Sequence, residues 1–159
     1  MKPRALDTQV IELIGRNRLG SDLLRDGLEV AVPARDRGID LIAYADLSAK
    51  VATFIARPIQ MKAASARHFG LFRQYKRLAN LIIAYVWYVD DPLKTVTYAL
   101  TYDEAYDVAK KMKWTRTKSW EREGYTTNQP SERLCDLLDP YRMKPGKWWE
   151  KVTGAKQRV

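Results

Sequence analysis

GIDLIAYADLSAKVATFIARPIQMK, residues 38–62, reads as two strands folded back on one another. Apolar positions run from Ile39 to Ala45, Asp46 to Lys50 supply a turn, and Val51 to Ala63 form a second, longer extended segment. Strand side chains alternate with period two, so Gln60 and Lys62 share one face. Pairing of the two strands carries Asp40, at the start of the first, toward that face. An acid, an amide and an ammonium then converge at one end of a sheet, a set suited to a divalent cation and a phosphodiester. Pro58 lacks a ladder donor, which predicts an edge position or a bulge there.

Upstream, Asp7 or Thr8 can cap a helix whose apolar residues recur at Val10, Leu13, Ile14, Leu19, Leu23 and Leu24 and which Gly27 ends. Gly15 and Gly20 weaken that helix and are expected where it lies close on a sheet. Glu12 and Arg16 stand four apart, spaced to pair along one face. Leu28–Val32 reads as a strand stopped by Pro33, and 34–38 as a charged loop.

Downstream, 66–78 is basic and expected to be partly helical. Leu81–Tyr88 is apolar on both faces, the mark of a buried central strand. Thr95–Leu100 follows as a strand, and Thr101 with Glu104 forms a capping-box pattern opening a helix to about Lys113. Trp114–Trp120 and Tyr125–Thr127, with a turn at 121–124, predict a small hairpin. Ser131–Leu138 is a short helix. The expected fold is α/β of the mixed α+β kind, with helices flanking a mixed sheet. One domain is expected over 1–143, with a core at 6–113, a hairpin-and-helix extension at 114–143 and a basic, Trp-containing tail at 144–159.

Hydrophobic residues make up 46% and charged residues 30% of the 159, which argues for a packed domain and against disorder. Lys and Arg number 28 against 19 Asp and Glu, a net +9, and that surplus points to a polyanionic partner. The lone Cys135 excludes an intrachain disulfide and a cysteine-based zinc site, and is expected to be a buried thiol. The longest apolar run, Leu81–Val89, falls well short of the ~20 residues that span a membrane. With no signal-peptide core at the N-terminus, a cytoplasmic location without membrane contact is expected.

A helix, a first strand with Gly27-x-x-Val30-x-x-Pro33, a strand opening Gly38-Ile39-Asp40, and a strand closing on Gln60-Met61-Lys62 resemble the PD-(D/E)XK nuclease superfamily, in particular its Holliday-junction-resolvase-like and restriction-endonuclease-like branches. The resemblance covers about Leu6 to Leu100. It implies a restriction-endonuclease-like core and metal-dependent hydrolysis of phosphodiester bonds in DNA. Asp40 and Gln60 would hold one or two Mg²⁺ or Mn²⁺ ions, and Lys62 would activate water and meet the charge that develops. Gln60 stands where most members carry a carboxylate. Arg16 stands where a helix-borne Glu is usual, leaving Glu12, one turn earlier, or Glu29 on the first strand to complete the set. The alternative is a catalytically silent nucleic-acid-binding or interaction module on the same fold.

Phosphate contacts are expected from Arg16, Arg35, Arg37, Arg67, His68, Arg73 and Lys76, which are cations, with one histidine, close to the motif strands. Asp40 could instead form a surface ion pair with Arg35 or Arg37. Trp114, Trp120 and Tyr125, interleaved with Arg116, Lys118 and Arg122, are expected to close one edge of the core. Trp148 and Trp149 have two destinations, the domain itself or a second subunit in a homodimer.

Overall fold

The computed structural model describes residues 5–45 and 53–156. Helix α1 (Thr8–Arg25) opens under Asp7, whose carboxylate accepts the Val10 N–H at 2.9 Å, and the chain leaves it through Gly27 at φ +84°. Five strands then build one mixed sheet: β1 (Leu28–Ala31), β2 (Leu41–Ala45), β3 (Ala56–Ala64), β5 (Ile82–Trp87) and β6 (Val96–Thr101), side by side in that order. A separate antiparallel pair joins β4 (Phe69–Phe72) to β7 (Gly124–Thr127).

β2 and β3 form the expected antiparallel pair, with Leu41 opposite Ile59. The turn read at 46–50 lies outside the described residues. β3 is the middle strand of the five, so Pro58 is neither on an edge strand nor in the bulge expected of it. It stands opposite Ile42, one residue before β3 begins to pair with β5 at Ile59, where no second ladder asks for its missing N–H. β5 runs parallel to β3 and all six of its residues are buried, as its unbroken apolar run requires.

The two faces of the sheet feed two cores. Leu41, Ala43, Ile59, Met61, Ile82, Ala84 and Val86 pack with α1 and with a last helix, α5 (Lys147–Thr153). On the opposite face Ile83, Tyr85, Trp87, Tyr98 and Leu100 pack under β4 and β7 and three short helices: α2 (Tyr102–Lys111), α3 (Lys118–Arg122) and α4 (Glu132–Leu138). α2 begins in the expected capping box, Thr101 accepting the Glu104 N–H and Glu104 accepting the Thr101 N–H. Of the two glycines in α1 only Gly15 meets the sheet. A Cβ there would lie 2.6 Å from the Ala63 Cβ, whereas one at Gly20 would meet nothing within 4 Å.

The structure refines these expectations. Residues 66–78 are helical only in part, as a 3-10 turn at Arg73–Arg77, and their first half holds strand β4. The hairpin expected over 114–127 does not form. Lys113 turns left-handed at φ +63°, and the Thr117 hydroxyl accepts the Trp120 N–H, which starts α3 where a strand was expected. Tyr125 pairs with Leu71 of β4 instead, and it meets Trp114 only through stacked rings 4.4 Å apart. Trp148 and Trp149 dock on the domain, 2% and 9% exposed. The buried Asp26 fixes this last segment by accepting the Gly146 and Trp148 N–H groups at 2.7 and 2.8 Å. No described helix is long and apolar enough to cross a membrane.

Candidate active site

Asp40 lies one residue ahead of β2, and its backbone N–H already donates to the Ile59 carbonyl of β3 at 2.9 Å. The strand pairing therefore determines where its carboxylate sits. Asp40 Oδ2 accepts two bonds from β3, one from the Gln60 side-chain amide at 2.8 Å and one from the Met61 N–H at 2.7 Å. The second Gln60 amide hydrogen goes to the Met61 carbonyl at 3.2 Å, which leaves Gln60 Oε1 on the side of Gly38. Gly38, at φ +87°, makes the left-handed turn that delivers Asp40 to this corner.

Oδ1 faces the other way, toward α1. The Arg16 guanidinium stands 3.8 Å from it, a loose ion pair rather than a hydrogen bond, and Arg16 Nε is buried with no hydrogen-bond partner. Asp40 thus pairs with Arg16 rather than with Arg35 or Arg37, and Arg16 turns toward Asp40 rather than toward Glu12. Burial raises the Asp40 carboxyl above its ordinary range. The Met61 N–H opposes that rise, Asp36 adds repulsion, and the charges of Arg16 and Lys62 pull the other way.

Asp36 is a residue that the strand motif does not point to. With Arg16, Pro33, Ile39 and Asp40 it lines a depression of about 220 Å³, so two acidic residues border one opening. Its own Oδ1 accepts the Gly38 N–H at 3.1 Å, a local turn that carries the acid to the rim. The spacing Asp36-x-Gly38-x-Asp40 is the signal by which it could have been found. Neither acid expected to complete the set lines the depression: Glu12 is exposed on α1 and Glu29 is exposed on β1. Among the described residues no group of three or more His, Cys, Asp or Glu side chains comes together.

Lys62 lies on the Gln60 face of β3, half-buried, with Nζ over the rings of Phe72 and Tyr75 at 5.3 and 5.4 Å. Two aromatic faces hold that ammonium in place near the carboxylate. The phosphate-contact candidates do not form one patch. Arg67 is tied to Glu132 at 2.8 Å and to the Tyr88 hydroxyl at 3.2 Å, and His68 Nδ1 lies 2.9 Å from the Asn128 side-chain oxygen. Arg35 and Arg37 are exposed on the loop that leads into Asp40. Arg73 and Lys76 line a separate groove beyond the 3-10 turn. Cys135 is a free thiol but half-buried rather than buried, with its pKa raised by desolvation.

Comparison of the chain with family models, with curated proteins and with solved structures finds no match to any of them.

Proposed function

We propose that this protein is a metal-dependent hydrolase of phosphodiester bonds in DNA, built on a restriction-endonuclease-like core. The mixed sheet, with β1-β2-β3 antiparallel and β5 parallel to β3, supports the mixed-sheet part of that reading. The observation that carries the reading is the Asp40 carboxylate bonded to Gln60 and to the Met61 N–H while Lys62 projects from the same strand face. The oxygen donors fit a hard cation that keeps several waters: Asp40 and Asp36 would hold it, joined by Gln60 Oε1 once that amide turns over. A bound Mg²⁺ or Mn²⁺ supplies a charge that polarises the phosphate and acidifies a water. Lys62, fixed over its two rings, meets the charge that develops on the phosphorus oxygens, and the guanidinium of Arg16 binds a phosphate oxygen beside Asp40.

The test is incubation of the purified protein with supercoiled, branched and single-stranded DNA in Mg²⁺ or Mn²⁺. Cleavage of at least one substrate is expected, and Asp40→Asn or Lys62→Ala should lower its rate by about a hundredfold or more. No cleavage of any substrate, or cleavage undiminished in both variants, sinks the reading.

A silent nucleic-acid-binding module on the same fold is the second reading, and Arg16 is the observation that favours it. A guanidinium beside Asp40 occupies the side from which a helix-borne acid would approach. In that case DNA binding is sensitive to salt and indifferent to EDTA. Cleavage gained by Arg16→Glu in an otherwise inactive protein would identify Arg16 as the reason for the silence.

A further inference from the structure

Beyond the 3-10 turn Arg73–Arg77 lies an open groove of about 830 Å³, walled by that turn on one side and by α2 and α3 on the other. Four cations line it, Arg73, Lys76, Arg77 and Arg122, against two carboxylates, Asp103 and Glu123. Arg73 braces the wall by donating to the Glu121 carbonyl at 2.9 Å. The other three cations lie within ion-pairing distance of no carboxylate among the described residues. Between the cations stands an aromatic platform. Tyr106 is 36% exposed, stacks on Tyr102 at 6.3 Å and 22°, and is backed by the buried Trp120 at 5.8 Å.

The geometry points to a docking groove for single-stranded nucleic acid, in which a base stacks on Tyr106 and flanking phosphates meet Lys76, Arg77 and Arg122. A duplex keeps its base faces inside its own stack and offers a tyrosine ring nothing to lie on, whereas an unpaired base presents one. An acidic peptide would satisfy the cations but has no use for the platform. Asp103 and Glu123 suit the amino groups on base edges. The groove also neighbours the Lys62 side chain. Phe72, which supports the Lys62 ammonium, lines a smaller depression with Arg122 and Glu123, and both of those residues line the groove. The assignment rests on nucleic acid being the substrate and names its form: a strand held open at Tyr106 would run from the groove toward Lys62.

The experiment is fluorescence anisotropy in EDTA with a labelled mixed-sequence strand and the same strand annealed to its complement. Tighter binding of the single strand is expected, with affinity falling linearly in log–log fashion as salt rises. Tyr106→Ala should weaken single-strand binding about tenfold and Tyr106→Phe should restore it, since stacking needs the ring and not the hydroxyl. Arg77→Glu, an exposed change with no packing role, should weaken binding and flatten the salt slope. Duplex bound as tightly as single strand, displacement by polyglutamate as effective as by unlabelled oligonucleotide, or single-strand affinity unchanged in both Tyr106→Ala and Arg77→Glu would each overturn the groove. Tyr106-dependent binding without cleavage in Mg²⁺ would uphold the groove and sink the hydrolase. Cleavage with no dependence of binding on Tyr106 would do the reverse.

Discussion

Met61 and Lys62 are neighbours on β3 and belong to two different environments. Met61, 6% exposed, points with Ile59 and Ala63 into a core of close-packed aliphatics under α1 and α5. Lys62 points with Gln60 to the other face, where aromatic rings join the aliphatics and polar atoms gather at the Asp40 corner. Both faces bury a core, and the second also carries the proposed site. A one-residue slip of β3 would exchange them, so register is where fold and site depend on each other.

If that division holds, truncating the aliphatic side should cost the most. Met61→Ala removes most of a buried side chain and is expected to cost about 2–5 kcal/mol, measured as a shift in the urea midpoint. A loss near zero would mean that α1 does not pack on β3 as described. Gly15→Ala is the next largest. The added methyl meets the Ala63 Cβ at 2.6 Å, and forcing the helix away costs about 1–3 kcal/mol. Ala63→Gly in the same protein should recover part of that loss, a coupling that a double-mutant cycle reads directly. Gly20→Ala, with open space above it, should instead stabilise α1 by up to ~1 kcal/mol.

The contrast between the two glycines also shows where sequence reading stops. Helix α1, the strand pair, the buried β5 and the capping box of α2 were all legible, because each is set by local spacing or by caps. Both glycines looked alike, since only the packed partner distinguishes them. Strand alternation located Gln60 and Lys62 on one face, and the pairing brought Asp40 to them. Asp36 escapes strand periodicity because it reaches the depression through a turn, and only the Asp36-x-Gly38-x-Asp40 spacing points to it. The ring support under Lys62 was hidden for another reason: Phe72 and Tyr75 lie on a segment expected to be partly helical, and only the pairing of β4 with the distant β7 brings them over β3. The same distant pairing replaced the hairpin expected at 114–127.

On the other face of β3, effects on stability should shrink while effects on function grow. Lys62→Met keeps the apolar stem and removes the charge above the two rings. Its cost to the urea midpoint is expected to stay within about 1 kcal/mol. The proposed cleavage, by contrast, should be lost. A destabilisation as large as that of Met61→Ala would show Lys62 to be a core residue after all and would dissolve the contrast between the faces.

The smallest effect concerns the corner itself and is one of sign. Burial makes the Asp40 carboxyl harder to ionise in the folded chain than in the unfolded one. A group whose pKa rises on folding stabilises the fold below its unfolded value, about 3.9 for an aspartate, and that contribution is lost as pH climbs through the folded value. At neutral pH the ionised Asp40 is therefore a burden to folding that an asparagine would not impose. In the Asp40→Asn variant an amide oxygen in the place of Oδ2 still accepts both the Gln60 amide and the Met61 N–H, while the NH₂ takes the place of Oδ1 on the Arg16 side. The stability of Asp40→Asn relative to the parent should thus become more favourable between about pH 3.5 and pH 7, followed by urea unfolding at each pH. The opposite slope would mean that the Arg16 guanidinium outweighs burial. The corner would then behave as a structural ion pair, with its carboxylate held for the arginine rather than kept ready for a cation.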